Sequence, residues 1–368
     1  MKVLAFSLRE EARISGEAAS FRLLESVFGD LGISLERPPT DHSRASPVVG
    51  AWRRLKQLKE IAAANATDIL LVKIPTAAQL PATVSATRHF RGRVIFWIDG
   101  LLWRSSISTG QWWKFLTREP LLTAARALMN NTAWTRLVRA RTLEIVVSSQ
   151  TQATELAPLL PQAKIHVVPN GTLPQPAAEK AGAIRPFTAG YIGHSYLVKG
   201  VWEVLDAIRQ MKQTQREIPF RFALSELGST QFRQSAAAAQ IEVLGEVDRA
   251  EFFASIDLLV APFWVAWGTQ TFPNVLLEAM QFGVPVLTTD LPVCRELFPD
   301  GLAHFVTPHN AATLATILSK IALGQRTLPS PDRLRAHFAA HYSPARIADG
   351  WRRILFAHDH PLLQPTHD

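Results

Sequence analysis

Three short stretches of this sequence set glycine turns, helix starts and charged or amide side chains in the order that recognition of anions and hydroxyls requires. The first is FTAGYIGHSYLVKGVWEVLDAIRQMKQ (187–213). A strand-like run ends at Gly193, where the missing side chain permits a tight turn, and the backbone amides that follow can face an anion at the start of a helix. Ser195 and Lys199 lie in that turn, and Lys199 is placed to set a point charge against a phosphate. A glycine turn with a solvated lysine reads the same way, so this stretch leaves both open. The second is DLLVAPFWVAWGTQTFPNVLLEAMQFGVPVLTTD (257–290). Phe272 and Pro273 lead into a helix that Gly283 closes. That helix start offers unpaired amides at Asn274, Val275 and Leu276 for a diphosphate. Gln270 in the loop and Glu278 about one turn into the helix can face the same spot and hydrogen-bond sugar or ribose hydroxyls. A glutamate there also serves simply to complement the helix dipole. The third is RVIFWIDGLLW (93–103), with Asp99 at a strand end that faces a cleft in the expected fold; Asp before Gly is equally an ordinary turn.

The elements that carry these loops alternate along the whole chain. Apolar strand-like runs stand at 2–6, 33–38, 68–74, 93–99, 144–149 and 164–169, and again at 187–193, 220–225, 241–247, 257–262, 285–290 and 303–308, with helix-length amphipathic segments between them. Continuous apolar strands separated by helices predict parallel sheets covered on both faces. The expected fold class is therefore α/β, with two Rossmann-like doubly wound domains facing across a cleft. The pattern restarts after TLPQPAAEKAGAIRP (172–186). The expected division is 1–170, a linker at 171–186, 187–340, and a tail helix at 341–368 packing back towards the first domain.

With 47% apolar and 19% charged residues in 368, the chain can bury two cores, and no run reaches the roughly 20 apolar residues of a membrane-spanning helix. MKVLAFSLREEAR reads as a first strand rather than a signal peptide. One cysteine, Cys294, forms no internal disulfide and reads as a small packing residue, so a cytoplasmic location is expected. His166 within a strand and His89 beside a basic helix end lack a ligand-spaced companion, and neither a metal nor a cofactor is expected. Residues 1–170 carry 22 Lys and Arg against 13 Asp and Glu, a net of +9; residues 171–368 carry 17 against 18.

The run QTFPNVLLEAMQFGVPVLTTD resembles the signature of family 4 of the retaining glycosyltransferases, which have the GT-B architecture. IVVSSQTQATELAPLLPQAKIHVVPNGT (145–172), YIGHSYLVKG (191–200), VLGEVDRAEFFASIDLLVAP (243–262) and HYSPARIADGWRRIL (341–355) agree with it in order and spacing. The resemblance implies transfer of a sugar from a UDP- or GDP-sugar to a glycan or lipid-linked glycan, as in cell-surface polysaccharide synthesis, with the anomeric configuration retained. The second domain would then hold the donor and the first the acceptor. Lys199 and amides near Val275 would meet the diphosphate, Glu278 the ribose and Gln270 the transferred sugar; Asp99 falls where the family places a His or Asp facing the cleft, and Asp99, Gln270 and Glu278 are the expected catalytic residues. Gly16 matches the family's N-terminal glycine, where the backbone passes close to phosphate. The chain departs from the pattern at Gln270, for a glutamate, and at His194, for a basic residue. Those departures keep a weak or inactive glycan-binding relative as an alternative, and an epimerase of similar fold is the rival among enzymes.

Residues 101–143 interleave Trp103, Trp112, Trp113 and Trp134 with Arg104, Lys114, Arg118, Arg126, Arg136, Arg139 and Arg141 against Glu119 alone, and AWRRLKQLKE (51–60) is a second such piece. Indoles and cations on amphipathic helices suit an anionic membrane surface, which implies peripheral attachment at the inner face of the plasma membrane. A nucleic-acid partner is not expected, because no nucleic-acid motif accompanies the charge.

Overall fold

The computed structural model describes residues 1–8, 16–38, 47–75, 77–98, 100, 113, 116–117, 131–175, 185–224, 230–264 and 273–357. The chain divides into two units, one of 1–99, 132–173 and 341–368, the other of 100–131 and 174–340.

The first unit is built on β1 (Lys2–Ser7), α1 (Gly16–Asp30), β2 (Ser34–Glu36), α2 (Pro47–Ala64), β3 (Ile69–Ile74), α3 (Leu80–Ala86), β4 (Arg93–Ile98), α4 (Asn131–Arg136), β5 (Glu144–Val147), α5 (Gln150–Leu156) and β6 (Lys164–Val167). Its sheet runs β2-β1-β3-β4-β5-β6, all parallel. β3 is buried along its whole length and apolar except at Lys73, as a strand covered on both faces must be. Lys73 is itself buried, its Nζ 4.1 Å from the Trp97 ring centroid. The last helix of the chain, Pro344–Leu355, belongs to this unit. Its Ile347, Trp351 and Ile354 join Phe21, Phe28 and Trp97 in one core, with Trp351 edge-on to Phe28 at 5.5 Å and to Trp97 at 5.9 Å.

The second unit comprises β7 (Ala189–Gly193), α6 (Val201–Gln213), β8 (Phe220–Leu224), α7 (Thr230–Ala238), β9 (Val243–Leu244), α8 (Arg249–Ala254), β10 (Leu258–Ala261), α9 (Asn274–Phe282), β11 (Val286–Thr289), α10 (Pro292–Leu297), β12 (His304–Val306), α11 (Ala311–Ala322) and α12 (Pro331–His341). Its parallel sheet runs β12-β11-β10-β7-β8-β9. Trp202, Ile208 and Met211 of α6 pack with Phe222, Phe232 and Leu318 in its core. Every strand expected from the apolar runs is present, and the α/β class with two doubly wound parallel sheets is what the chain adopts. Among the described residues no helix is long and apolar enough to cross a membrane.

Candidate donor site

In the second unit the chain order reverses between β7 and β10. From β7 it steps to β8 and β9 on one side, and β10, β11 and β12 lie on the other. β7 and β10 are hydrogen-bonded neighbours, Leu258 opposite Ala189, so the loops leaving their carboxyl ends meet at the switch point. Ligands of open α/β sheets bind there.

The β7 loop carries Gly193, Ser195 and Lys199. Gly193 has φ +153°, and the Tyr191 hydroxyl donates to the His194 carbonyl at 2.6 Å, folding the loop back on its strand. Burial raises the pKa of that phenol, so it stays a donor. Ser195 is buried and Lys199 ends a 3-10 turn, Leu197–Lys199. The next residue, Gly200, starts α6 from φ +73°. A side chain here would place its Cβ 1.7 Å from the Pro262 carbonyl oxygen, so glycine is obligatory at this point.

The β10 loop is fixed from several sides. Trp264 N–H donates to the Val198 carbonyl at 3.0 Å, and the Thr289 and Thr288 hydroxyls donate to the carbonyls of Phe263 and Ala261, each at 2.8 Å. Phe263 also lies beneath Lys199, whose Nζ is 5.5 Å from its ring centroid. Beyond it α9 begins at Asn274, with Pro273 as N-cap, and ends on Gly283 at φ +70°. Asn274 is buried, and Val275 N–H lies in the first turn without an intrahelical acceptor. Leu276 departs from expectation: its N–H donates to the Pro273 carbonyl at 2.9 Å, because the first turn tightens, and so it is not an unpaired amide. The structure thus brings Gly193, Ser195, Lys199, Pro273, Asn274, Val275 and Glu278 onto the two loops and the helix of the switch point. Gly16 opens α1 in the first unit. Asp99, Gln270 and Phe272 lie outside the described residues.

Glu278 is buried and ion-paired: Arg249 Nη1 donates to its Oε1. The sequence offers no sign of this partner, which stands 29 residues earlier at the start of a separate helix. Cys294 is buried, and burial pushes its thiol up to about 12, as suits a packing residue.

In the first unit His166 has a companion that its sequence position did not reveal. Arg93 forks onto Glu144 (Nε to Oε2, 2.6 Å) and reaches the Ile354 carbonyl at 2.7 Å, while His166 Nε2 lies 2.9 Å from Glu144 Oε1. Burial raises the Glu144 pKa, but the hydrogen bonds from Arg93 and His166 outweigh it and hold the carboxylate at about 2. The cluster fastens the end of the last helix to β4, β5 and β6. On this unit's surface Trp52 is 65% exposed and Trp134 45%, and Arg53, Lys56, Lys59, Arg136, Arg139 and Arg141 are exposed. Trp113, in the second unit, is also exposed; Trp103 and Trp112 lie outside the described residues.

Residues 186–322 match the family model described as glycosyl transferases group 1. No curated protein matches the chain. Among solved structures, Alr3699/HepE of Anabaena, determined with UDP and glucose, is 16% identical with a TM-score of 0.67, over 97% of this chain and 100% of that one. The lipopolysaccharide outer core galactosyltransferase WaaB is 12% identical with a TM-score of 0.64, over 97% and 99%. A glycosyltransferase of Rickettsia africae is likewise 12% identical, with a TM-score of 0.62 over 97% of both chains. Residues 186–322 thus resemble the glycosyl transferases group 1 model, and the chain shares its two-domain α/β fold with these solved glycosyltransferases.

Proposed function

We propose that the chain transfers a sugar from a nucleoside diphosphate sugar, UDP- or GDP-linked, to a glycan or lipid-linked glycan acceptor held by the first unit. The observation that carries this reading is the placement of Lys199 on the loop after β7, and of α9 with Glu278 in the connection after β10, at the switch point. Lys199 and the Val275 amide suit a diphosphate, and the Glu278 carboxylate suits ribose hydroxyls. Alr3699/HepE, of the same fold, has been determined with UDP-glucose, which supports a uridine donor. As the sugar leaves, negative charge grows on the diphosphate. A fixed cation and fixed amide dipoles stabilise that charge without reorganising. In the retaining route the departing diphosphate itself takes the acceptor proton, so no side-chain nucleophile is needed. The test is release of UDP or GDP from a panel of nucleotide sugars with lipid-linked and soluble glycans. Tight donor binding without turnover on every acceptor would replace this reading with a binding module.

The proposal extends to peripheral attachment on an anionic membrane, in polysaccharide synthesis on its cytoplasmic face. Its support is the exposure of Trp52 and Trp134 among exposed cations. α2 and α4 lie on β2-to-β3 and β4-to-β5 connections that advance in one direction, so right-handed crossovers put both on one face of the sheet.

A further inference from the structure

We propose that Arg249 is a positioning residue of the donor site: it holds one carboxylate oxygen of Glu278 and so presents the other to the nucleotide ribose. The inference rests on the donor-site reading above.

Arg249 is the first residue of α8, and the start of that helix is fixed by its N-cap, Asp248, whose side chain accepts from Glu251 N–H at 2.9 Å. α8 is in turn locked to α9, because Phe253 stacks on Phe282 with ring centroids 5.0 Å apart and planes 21° from parallel. Two helices held in this register bring the guanidinium to Glu278. Nη1 donates to Glu278 Oε1, and Oε2 accepts no hydrogen bond among the described residues. The Glu278 side chain is 4% exposed and that of Arg249 34%. A carboxylate so enclosed, left without its cation, would turn away from the site. Held by the guanidinium it stays aimed, and Oε2 is left to accept from a hydroxyl donor. Arg249 thus acts on the nucleotide through Glu278, and its influence is confined to the ribose.

That confinement is the test. Calorimetric titration of the full chain compares UDP with 2′,3′-dideoxy-UDP, and GDP with its dideoxy form, for wild type, Arg249→Ala, Arg249→Lys, Glu278→Gln and the Arg249→Ala/Glu278→Gln pair. Arg249→Ala should weaken UDP by about tenfold or more and dideoxy-UDP by less than about twofold, as expected for loss of one charge-assisted hydrogen bond to a hydroxyl. Arg249→Lys should recover part of the loss, and the double variant should bind UDP no worse than Glu278→Gln. Equal losses on both nucleotides, or additive losses in the double variant, would overturn the assignment and leave a pair that only ties α8 to α9. Should Arg249→Ala fail to fold, Arg249→Lys and Glu278→Gln carry the same comparison. A wild-type chain that binds neither UDP nor GDP removes the donor-site reading and this inference with it; wild-type binding that is indifferent to Arg249 removes the inference alone.

Discussion

The α-carbon of Gly200 lies so near Pro262 that an added Cβ would stand 1.7 Å from that residue's carbonyl oxygen. This approach seats the β7 loop on the β10 loop, and both carry donor-site residues. Gly200→Ala would combine a steric clash with a φ of +73° that alanine rarely adopts. A destabilisation of about 3 kcal/mol or more is expected, from strain and overpacking together. Thermal unfolding reads it, and nucleotide binding should fall with it. A melting temperature equal to wild type would show that the two loops need not touch.

Lys199→Ala should do the reverse. The residue ends a short turn at the edge of the site, so stability should hardly move. Donor binding and turnover should weaken by about 1.5–3 kcal/mol, the usual cost of a lost hydrogen bond to a charged group. Titration with UDP or GDP alongside kcat/KM measures both. Unchanged catalytic efficiency would take Lys199 out of the site.

Gln270→Glu restores the acidic residue found in the family that this sequence resembles. If the glutamine tunes donor choice, the ranking among nucleotide sugars should shift. If it marks an inactive relative, activity should appear. Steady-state rates over a donor panel decide, and an identical profile at equal rate rules out both roles.

The Glu144 clamp predicts acid sensitivity in the first unit. Its folded-state pKa, about 2, lies below the ordinary 4.5. A depressed carboxylate stabilises the fold above its unfolded pKa and loses that contribution as pH falls through the folded one. Denaturant unfolding of wild type should therefore weaken between pH 4.5 and about 2. Glu144→Gln should start less stable at neutral pH and decline less over that interval. Parallel pH curves for the two proteins would show that the carboxylate contributes nothing.

Flotation with vesicles of graded anionic lipid content tests the membrane proposal. Each cation near an anionic surface contributes about 1 kcal/mol, so binding should rise with anionic lipid and drop when Arg136, Arg139 and Arg141 are changed together to Gln. Salt should release the chain only in part, because inserted indoles are not screened. Binding that ignores lipid charge would remove this surface from consideration.

The central strands were legible because they are covered on both faces, which turns β3, β10 and β11 into largely apolar runs. Pro273 and Gly283 were legible for a local reason: helix starts and ends select those residues whatever lies around them. Arg249 was not, since an ion pair between two helices leaves no mark on the periodicity of either. Gly200 was passed over for the same reason, its obligation being imposed by Pro262, far along the chain. His166 read as a solitary strand histidine until the sheet set it beside Glu144, for only strand register brings those positions together. Leu276 was misread because amide availability depends on how tightly the first turn closes, which residue identity does not specify.

The place of Trp351 in the first unit has a consequence for synthesis on the ribosome. The first unit starts before the second, yet its core is unfinished until Trp351 has been made, whereas the second unit, 100–131 with 174–340, has all its residues by 340. The unit made first is completed last. During that interval Phe28 and Trp97 lack the indole that packs against them in the finished protein.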